Sequence, residues 1–241
     1  MNILEIQGLT KNFGGLTAIQ DLDLYIAQGE ILGLIGPNGA GKSTMFNCVA
    51  GVYPPSAGTI LFNGQSIVGL SPWDLCRLGL ARTFQIVKPF PSKTVLYNVM
   101  VGAYLRTRST AKARDKAMEV LETLQLAHRA EQMSANLTIA DRKRLEIAKA
   151  LATDPKLLLL DEVMAGLRPT EVDEMITVIK RLRDAGITVF VIEHIMRAVM
   201  ALSDRVVVIH FGEKIAEGAP QDVTRDEKVI KAYLGREYDA A

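Results

Sequence analysis

The chain has 241 residues, 49% of them hydrophobic, and its 28 basic and 27 acidic side chains leave a formal net charge of +1. That is enough apolar material for one α/β domain, with or without an inserted subdomain. The balanced charge offers no polyanion-binding surface, so nucleic acid is not expected as a partner. Cys48 and Cys76 lie far apart without metal-ligand spacing; they read as small packing residues in a reducing compartment.

From the N-terminus, no basic stretch leads into a long apolar run, so no signal peptide is expected. Residues 22–26 alternate apolar and polar and predict a strand with one wet face. Residues 31–35, Ile-Leu-Gly-Leu-Ile, predict a strand buried on both faces. A glycine-rich turn follows, and a helix opens near Lys42. Residues 59–64 predict a strand closing on the Asn63-Gly64 turn. From about 86 to 150 the pattern becomes helical and more charged. Arg106, Arg108, Lys112, Arg114 and Lys116 cluster there, either as a solvated face or as a surface for lipid headgroups or a membrane partner. Residues 156–161 predict a second buried strand. Thr170 is placed to cap a helix, with Asp173 as its reciprocal partner, and Val172, Met175, Ile176, Ile179 and Leu182 recur at helical spacing until Gly186. Residues 187–192 predict a third buried strand, and 205–209 with 214–217 a hairpin around Gly212. Neither 157–160 nor 187–192 is long enough to cross a bilayer. The chain is therefore expected in the cytosol or held at a membrane by a partner. The order of elements describes a layered α/β core with a helical arm.

Two motifs carry chemistry. Gly36-Pro37-Asn38-Gly39-Ala40-Gly41-Lys42-Ser43-Thr44 matches G-x-x-x-x-G-K-[ST], between a buried strand and a helix. Such a loop wraps backbone N–H groups around phosphate oxygens at the positive end of the helix. Lys42 would place its charge on the terminal phosphates, and Ser43 would offer a hydroxyl to Mg²⁺. Downstream, Leu157 to Leu160 run into Asp161-Glu162. Carboxylates emerging at the end of a buried strand lie where open α/β sheets bind ligands. Asp161 would hold Mg²⁺, and Glu162 would polarise the attacking water as general base.

Further pieces fall around these motifs: Phe13 before Gly14-Gly15, Gln85 closing Ala81-Arg82-Thr83-Phe84-Gln85, the phrase LTIADRKRLEIAKAL at 137–151, and His194 after Val191-Ile192-Glu193. In this order they resemble the nucleotide-binding subunits of ABC transporters along essentially the whole chain. The resemblance implies an α/β fold: a P-loop NTPase core of ABC type, with an inserted helical subdomain at roughly 86–150 and an antiparallel β portion near the N-terminus. All of it belongs to a single nucleotide-binding domain over 1–241. It further implies ATP and Mg²⁺ as cofactors and ATP hydrolysis coupled to transport. Phe13 would stack on adenine. Gln85 would contact Mg²⁺ and the attacking water and sense the membrane partner. His194 would contact the γ-phosphate. Thr138 would keep the signature hydroxyl that meets the nucleotide of the opposite subunit. The implied partners are transmembrane permease subunits, docked on the helical arm, and a second ATP-binding subunit, like or unlike. The implied place is the cytoplasmic face of the inner membrane, peripherally bound.

The phrases RTFQ, RLEIAKAL, VIEHIMRAVM, LSDRVVVIHFGEKIAEG and VIKAYLG look like the ATP-binding subunits of branched-chain amino-acid importers, and their relatives for urea and short amides look much the same. A cassette that extracts lipid or lipopolysaccharide, a soluble ABC ATPase, and a regulatory cassette with little turnover are the alternatives. Two stretches depart from the family pattern. The usual signature Leu-Ser-Gly-Gly-Gln reads Leu137-Thr138-Ile139-Ala140-Asp141, which adds bulk where backbone must approach phosphate and a carboxylate expected to be partly offset by Arg142, Lys143 and Arg144. After Glu162, Val163 replaces the usual proline, and Arg168 stands where the interface loop usually carries Asp or Asn.

Overall fold

The computed structural model describes residues 1–84 and 88–234. Strands β1 (Asn2–Phe13) and β2 (Leu16–Ala27) form a long antiparallel hairpin, with Gly14 at φ 58° in its turn. β4 (Ala57–Phe62) and the short β5 (Gln65–Ser66) extend it into a four-stranded sheet ordered β2-β1-β4-β5. Asn63 and Gly64 both have positive φ, 49° and 76°, the geometry an Asn-Gly hairpin turn favours.

The second sheet is ordered β10-β9-β3-β8-β7-β6 among the described residues. Its strands are β3 (Ile31–Ile35), β6 (Leu80–Arg82), β7 (Leu157–Asp161), β8 (Thr188–Ile192), β9 (Arg205–His210) and β10 (Glu213–Gly218), parallel except for β10. β3 lies between β8 and β9, so the chain passes from one side of β3 to the other. The carboxyl end of β3 is thus a topological switch point, where such sheets open a crevice.

Both faces of this sheet are covered, which explains the unbroken apolar runs. Leu157 and Leu159 pack with Phe46, Phe190 and the antiparallel sheet, across α1 (Lys42–Val49). Leu158 and Leu160 point the other way, into α3 (Val95–Ala103), α4 (Thr110–Thr123), α5 (Ile139–Leu151) and α6 (Pro169–Asp184). Successive side chains alternate across a strand, so four leucines in a row require apolar cover on both sides. The helices cross closely: a Cβ added at Gly102 in α3 would lie 2.4 Å from the Lys149 carbonyl of α5. A third cluster joins Ile35 to Val199, Val206, Val208, Val223 and Val229. It seats α7 (Met196–Leu202), α8 (Pro220–Val223) and α9 (Glu227–Leu234) beside the central strand.

Several local expectations are corrected. α2 (Pro72–Leu78) and the three-residue β6 were not legible as elements. Thr170 lies inside α6. The cap is Arg168, whose N–H donates to Glu171 Oε2 at 2.8 Å, and Pro169 occupies the first turn. Glu171, not Asp173, accepts the amide at the helix start, because proline at the first helical position moves the start two residues upstream. Within the basic cluster, Arg106 donates to the carbonyls of Thr153, Arg77 and Cys76, and Arg114 and Lys116 pair with Glu131 and Glu119. Those three charges are tied to protein groups.

Candidate nucleotide site

The phosphate loop leaves β3 at Gly36, whose φ is 154° and whose imagined Cβ would lie 2.1 Å from the Ile209 carbonyl. Gly41 precedes α1 at φ 103°, and a Cβ there would meet the Ala18 carbonyl at 2.5 Å. Only glycine fits both positions. No side chain caps α1 and no acidic residue stands in its first turn, so its amides and its dipole face outward unopposed. Lys42 is 6% exposed, and its Nζ donates to the carbonyls of Gly36 at 2.7 Å and Pro37 at 2.9 Å. Burial pushes its pKa down, opposed by Glu162 and Asp161 nearby. Both carboxylates therefore belong to the field around this ammonium.

Asp161 ends β7 at 5% exposure. Burial pushes its carboxyl pKa up, against the Arg82 guanidinium, whose Nη2 lies 3.5 Å from Oδ2. Arg82 also donates to Asn47 Oδ1 at 2.7 Å and so links β6 to α1. Glu162 begins the next turn at φ 50°, and its N–H donates to the Ile192 carbonyl at 3.0 Å. Its Oε1 lies 2.5 Å from His194 Nε2. Lys143 Nζ donates to the Glu162 carbonyl at 3.0 Å. The buried Glu193 accepts the Met164 N–H at 2.8 Å, and burial raises its pKa to about 7, partly countered by backbone hydrogen bonds from Met164 and His194. Two consecutive strand ends are thereby tied together beneath the Glu162–His194 pair.

A cavity of about 510 Å³ opens above these groups and gathers Phe13, Asn38, Gly39, Ala40, Gly41, Lys42, Ser43, Thr44, Glu162 and His194. Phe13 ends β1 half-exposed, edge-on to Tyr53 at 5.3 Å, with Lys11 Nζ 5.0 Å from its ring centre. The buried Gly36 and Asp161 and the half-buried Pro37 do not line it. Gln85 lies outside the described residues. Arg82, Lys143 and Glu193, together with the lining residues Leu16, Thr17, Ala18 and Phe211, are contributors that sequence patterns missed. Their signal is spatial, not a motif.

Thr138 is not brought to this cavity. It caps α5, its hydroxyl accepting the Asp141 N–H at 3.1 Å. Asp141 is buried and pairs with Arg129 Nε at 3.0 Å, with Arg144 more distant at 4.0 Å. This corrects the charge accounting: Arg129 supplies the close counter-charge. Arg142 donates to the Ala135 carbonyl, Lys143 to the Glu162 carbonyl, and Arg144 pairs with Glu174. Val163 fills the helical-side core, whereas Arg168 is exposed at the start of α6.

A glycine loop at a switch point, an unopposed helix start, a buried lysine and a carboxylate–imidazole pair define a P-loop nucleotide hydrolase. Comparison narrows the class. Residues 19–165 match the family model "ABC transporter", and residues 213–239 match "Branched-chain amino acid ATP-binding cassette transporter". The high-affinity branched-chain amino acid transport ATP-binding protein LivG of Escherichia coli K12 is 40% identical over 97% of this chain and 98% of that protein. The lipopolysaccharide export system ATP-binding protein LptB of the same strain is 36% identical over 99% of both chains. The ADP conformation of the cassette MJ1267 superposes with a TM-score of 0.90 at 31% identity, over 98% of this chain and 100% of that one. The chain belongs to the ABC transporter family, as one of its ATP-binding, ATP-hydrolysing cassettes.

Proposed function

We propose that this cassette powers an importer of branched-chain amino acids or related small amides, bound through permease subunits to the cytoplasmic face of the inner membrane. The observation that carries the substrate class is the family-model match over 213–239, joined to LivG-like identity along nearly the full length. LptB is also similar along its length, at 36%. No helix among the described residues is long and apolar enough to cross a membrane. A groove of about 380 Å³ lined by Val52, Pro72, Leu75, Phe84 and Lys149 is the docking place we assign to the permease.

In the proposed mechanism, the base stacks on Phe13 and the phosphates settle on the amides of 36–44. Lys42 turns from the Gly36 and Pro37 carbonyls to the phosphate oxygens. The donor set suits Mg²⁺. Asp161 is a buried carboxylate whose nearest guanidinium nitrogen is 3.5 Å away, and Ser43 offers a hydroxyl at the helix start. Among the described residues no group of three or more His, Cys, Asp or Glu could hold a metal by itself. A small oxygen-seeking ion completed by water and phosphate matches that supply. Ser43, Asp161 and Gln85 would hold it, and when bound it would neutralise charge between the terminal phosphates. Glu162 takes the proton of the attacking water, while His194, whose Nε2 lies 2.5 Å from Glu162 Oε1, positions that carboxylate and reaches the γ-phosphate. Thr138 and the start of α5 serve the nucleotide of a second cassette, because they do not line their own chain's cavity.

The test is purification from detergent-extracted membranes with its partners, followed by transport in vesicles. Recovery with permease subunits, and leucine uptake abolished by Glu162→Gln, is the expected outcome. Recovery with lipopolysaccharide-handling membrane proteins, with leucine uptake unchanged, overturns the reading.

A further inference from the structure

Phe211 is placed oddly for a residue with only a structural task. It occupies the tip of the β9–β10 hairpin at φ 49°, followed by Gly212 at φ 83°. Such a two-residue turn favours Asn, Asp or Gly at its first position, and a bulky side chain there is strained. Packing does not offset that strain, because Phe211 is 79% exposed. Strained residues that bury nothing tend to mark functional positions.

The tip is also firmly located. Gly212 N–H donates to the Ala40 carbonyl of the phosphate loop at 3.0 Å, and the Gln20 N–H donates to the Gly212 carbonyl at 3.0 Å. A Cβ on Gly212 would lie 2.8 Å from the Ala18 carbonyl, so the turn lies flush on β2. The His210 ring is 4.1 Å from the Phe211 ring, tilted by 42°. Held this way, Phe211 lines the same cavity as Phe13, Leu16, Thr17 and Ala18. The charged lining groups, Lys42, Glu162 and His194, belong to the phosphate end, which leaves a largely apolar end suited to a base and its ribose.

We infer that Phe211 is a second aromatic contact for the base of the bound nucleotide, delivered by the C-terminal hairpin alongside Phe13 from the N-terminal sheet. The inference rests on the nucleotide reading of this cavity. Because its neighbours in the cavity, Phe13, Leu16 and Ala18, present apolar side chains, Phe211 adds affinity for any purine without selecting between adenine and guanine.

The experiment is calorimetric titration of the full chain with ADP, with GDP, and with inorganic tripolyphosphate. Phe211→Ala is expected to weaken ADP and GDP alike by about fivefold to tenfold, the range of an aromatic contact at an open site. Tripolyphosphate, which has no base, is expected to bind unchanged. Phe211→Asn relieves the backbone strain, so it is expected to fold at least as stably and still lose ADP affinity. Phe211→Trp is expected to retain it. ADP affinity within about twofold of wild type in both the Ala and Asn variants overturns the inference, as does an equal loss for tripolyphosphate. Lys42→Ala run in parallel separates the two readings. If it leaves ADP and tripolyphosphate binding intact, the nucleotide site itself is misassigned; if it abolishes both while Phe211→Ala changes nothing, only the role of Phe211 fails.

Discussion

Two helices of this cassette begin at motif positions, and they treat their first amides in opposite ways. α1 starts from Gly41 in a left-handed conformation, with no capping side chain and no acid in its first turn. α5 starts from Thr138, whose hydroxyl takes the Asp141 amide, and Asp141 itself is buried against Arg129. The first helix holds its N-terminal charge open for an external anion. The second satisfies much of it internally. Where the resemblance places the signature glycines, this chain has a capped, ion-paired helix start. Phosphate affinity in this chain should come overwhelmingly from the α1 end, and the α5 end should act weakly and only in a dimer.

The largest expected effect lies at the Glu162–His194 pair, which we propose is catalytic. Glu162→Gln keeps the shape and loses the proton acceptor, so single-turnover hydrolysis should slow roughly 10²–10⁴-fold while ATP binding persists. Turnover at the wild-type rate would remove Glu162 from the role of base.

Next in size is a pH effect beneath the same pair. The Glu193 pKa is raised from 4.5 to about 7, by burial first. A raised carboxyl pKa means that the folded state prefers the protonated form. The stabilisation is therefore complete below the unfolded value and lost as pH rises through the folded one. Wild-type stability should fall relative to Glu193→Gln by about 3 kcal/mol between pH 4.5 and 7 and then level off. Parallel denaturation curves for the two proteins across that range would show Glu193 to be ionised in the fold.

At the phosphate loop, Lys42→Ala removes a charged hydrogen-bond donor worth about 1.5–3 kcal/mol, so MgATP should bind about 10–100-fold more weakly with the fold intact. Equal calorimetric titrations for mutant and wild type would contradict the assignment.

The smallest effect should come from the α5 end. Converting Ile139-Ala140-Asp141 to Gly-Gly-Gln places two glycines in a helical turn at about 1 kcal/mol each and breaks the pair with Arg129. Thermal stability should drop, while concentration-dependent ATPase activity should change by less than about tenfold. A larger rise would show that the signature turn limits hydrolysis and that the two helix starts are less unequal than their amides indicate.

Residues 31–35, 156–161 and 187–192 were legible as buried strands (the latter two one residue too long at the start), because a strand covered on both faces has no wet positions, and that pattern is local. The phosphate loop was equally legible, since glycine spacing and the lysine encode backbone shape directly. The hairpin around Gly212 was legible from its turn residue. Tertiary structure alone decided the rest. β6 has three residues, too few for any periodicity, and exists because β7 pairs with it. The cap of α6 moved to Arg168 because Pro169 suits the first helical turn. Asp141 read as a threat to phosphate until Arg129, in a separate turn, came within 3.0 Å of it. Arg82, Glu193 and Phe211 carry no local signal, because each acts on groups far away in sequence. Neither does the placing of β3 between β8 and β9, which brings Glu162 and His194 to the mouth of the phosphate loop. Local sequence sets which backbone shapes and burial patterns are affordable, but which distant groups meet depends on strand order and packing, and on this chain those contacts complete the site.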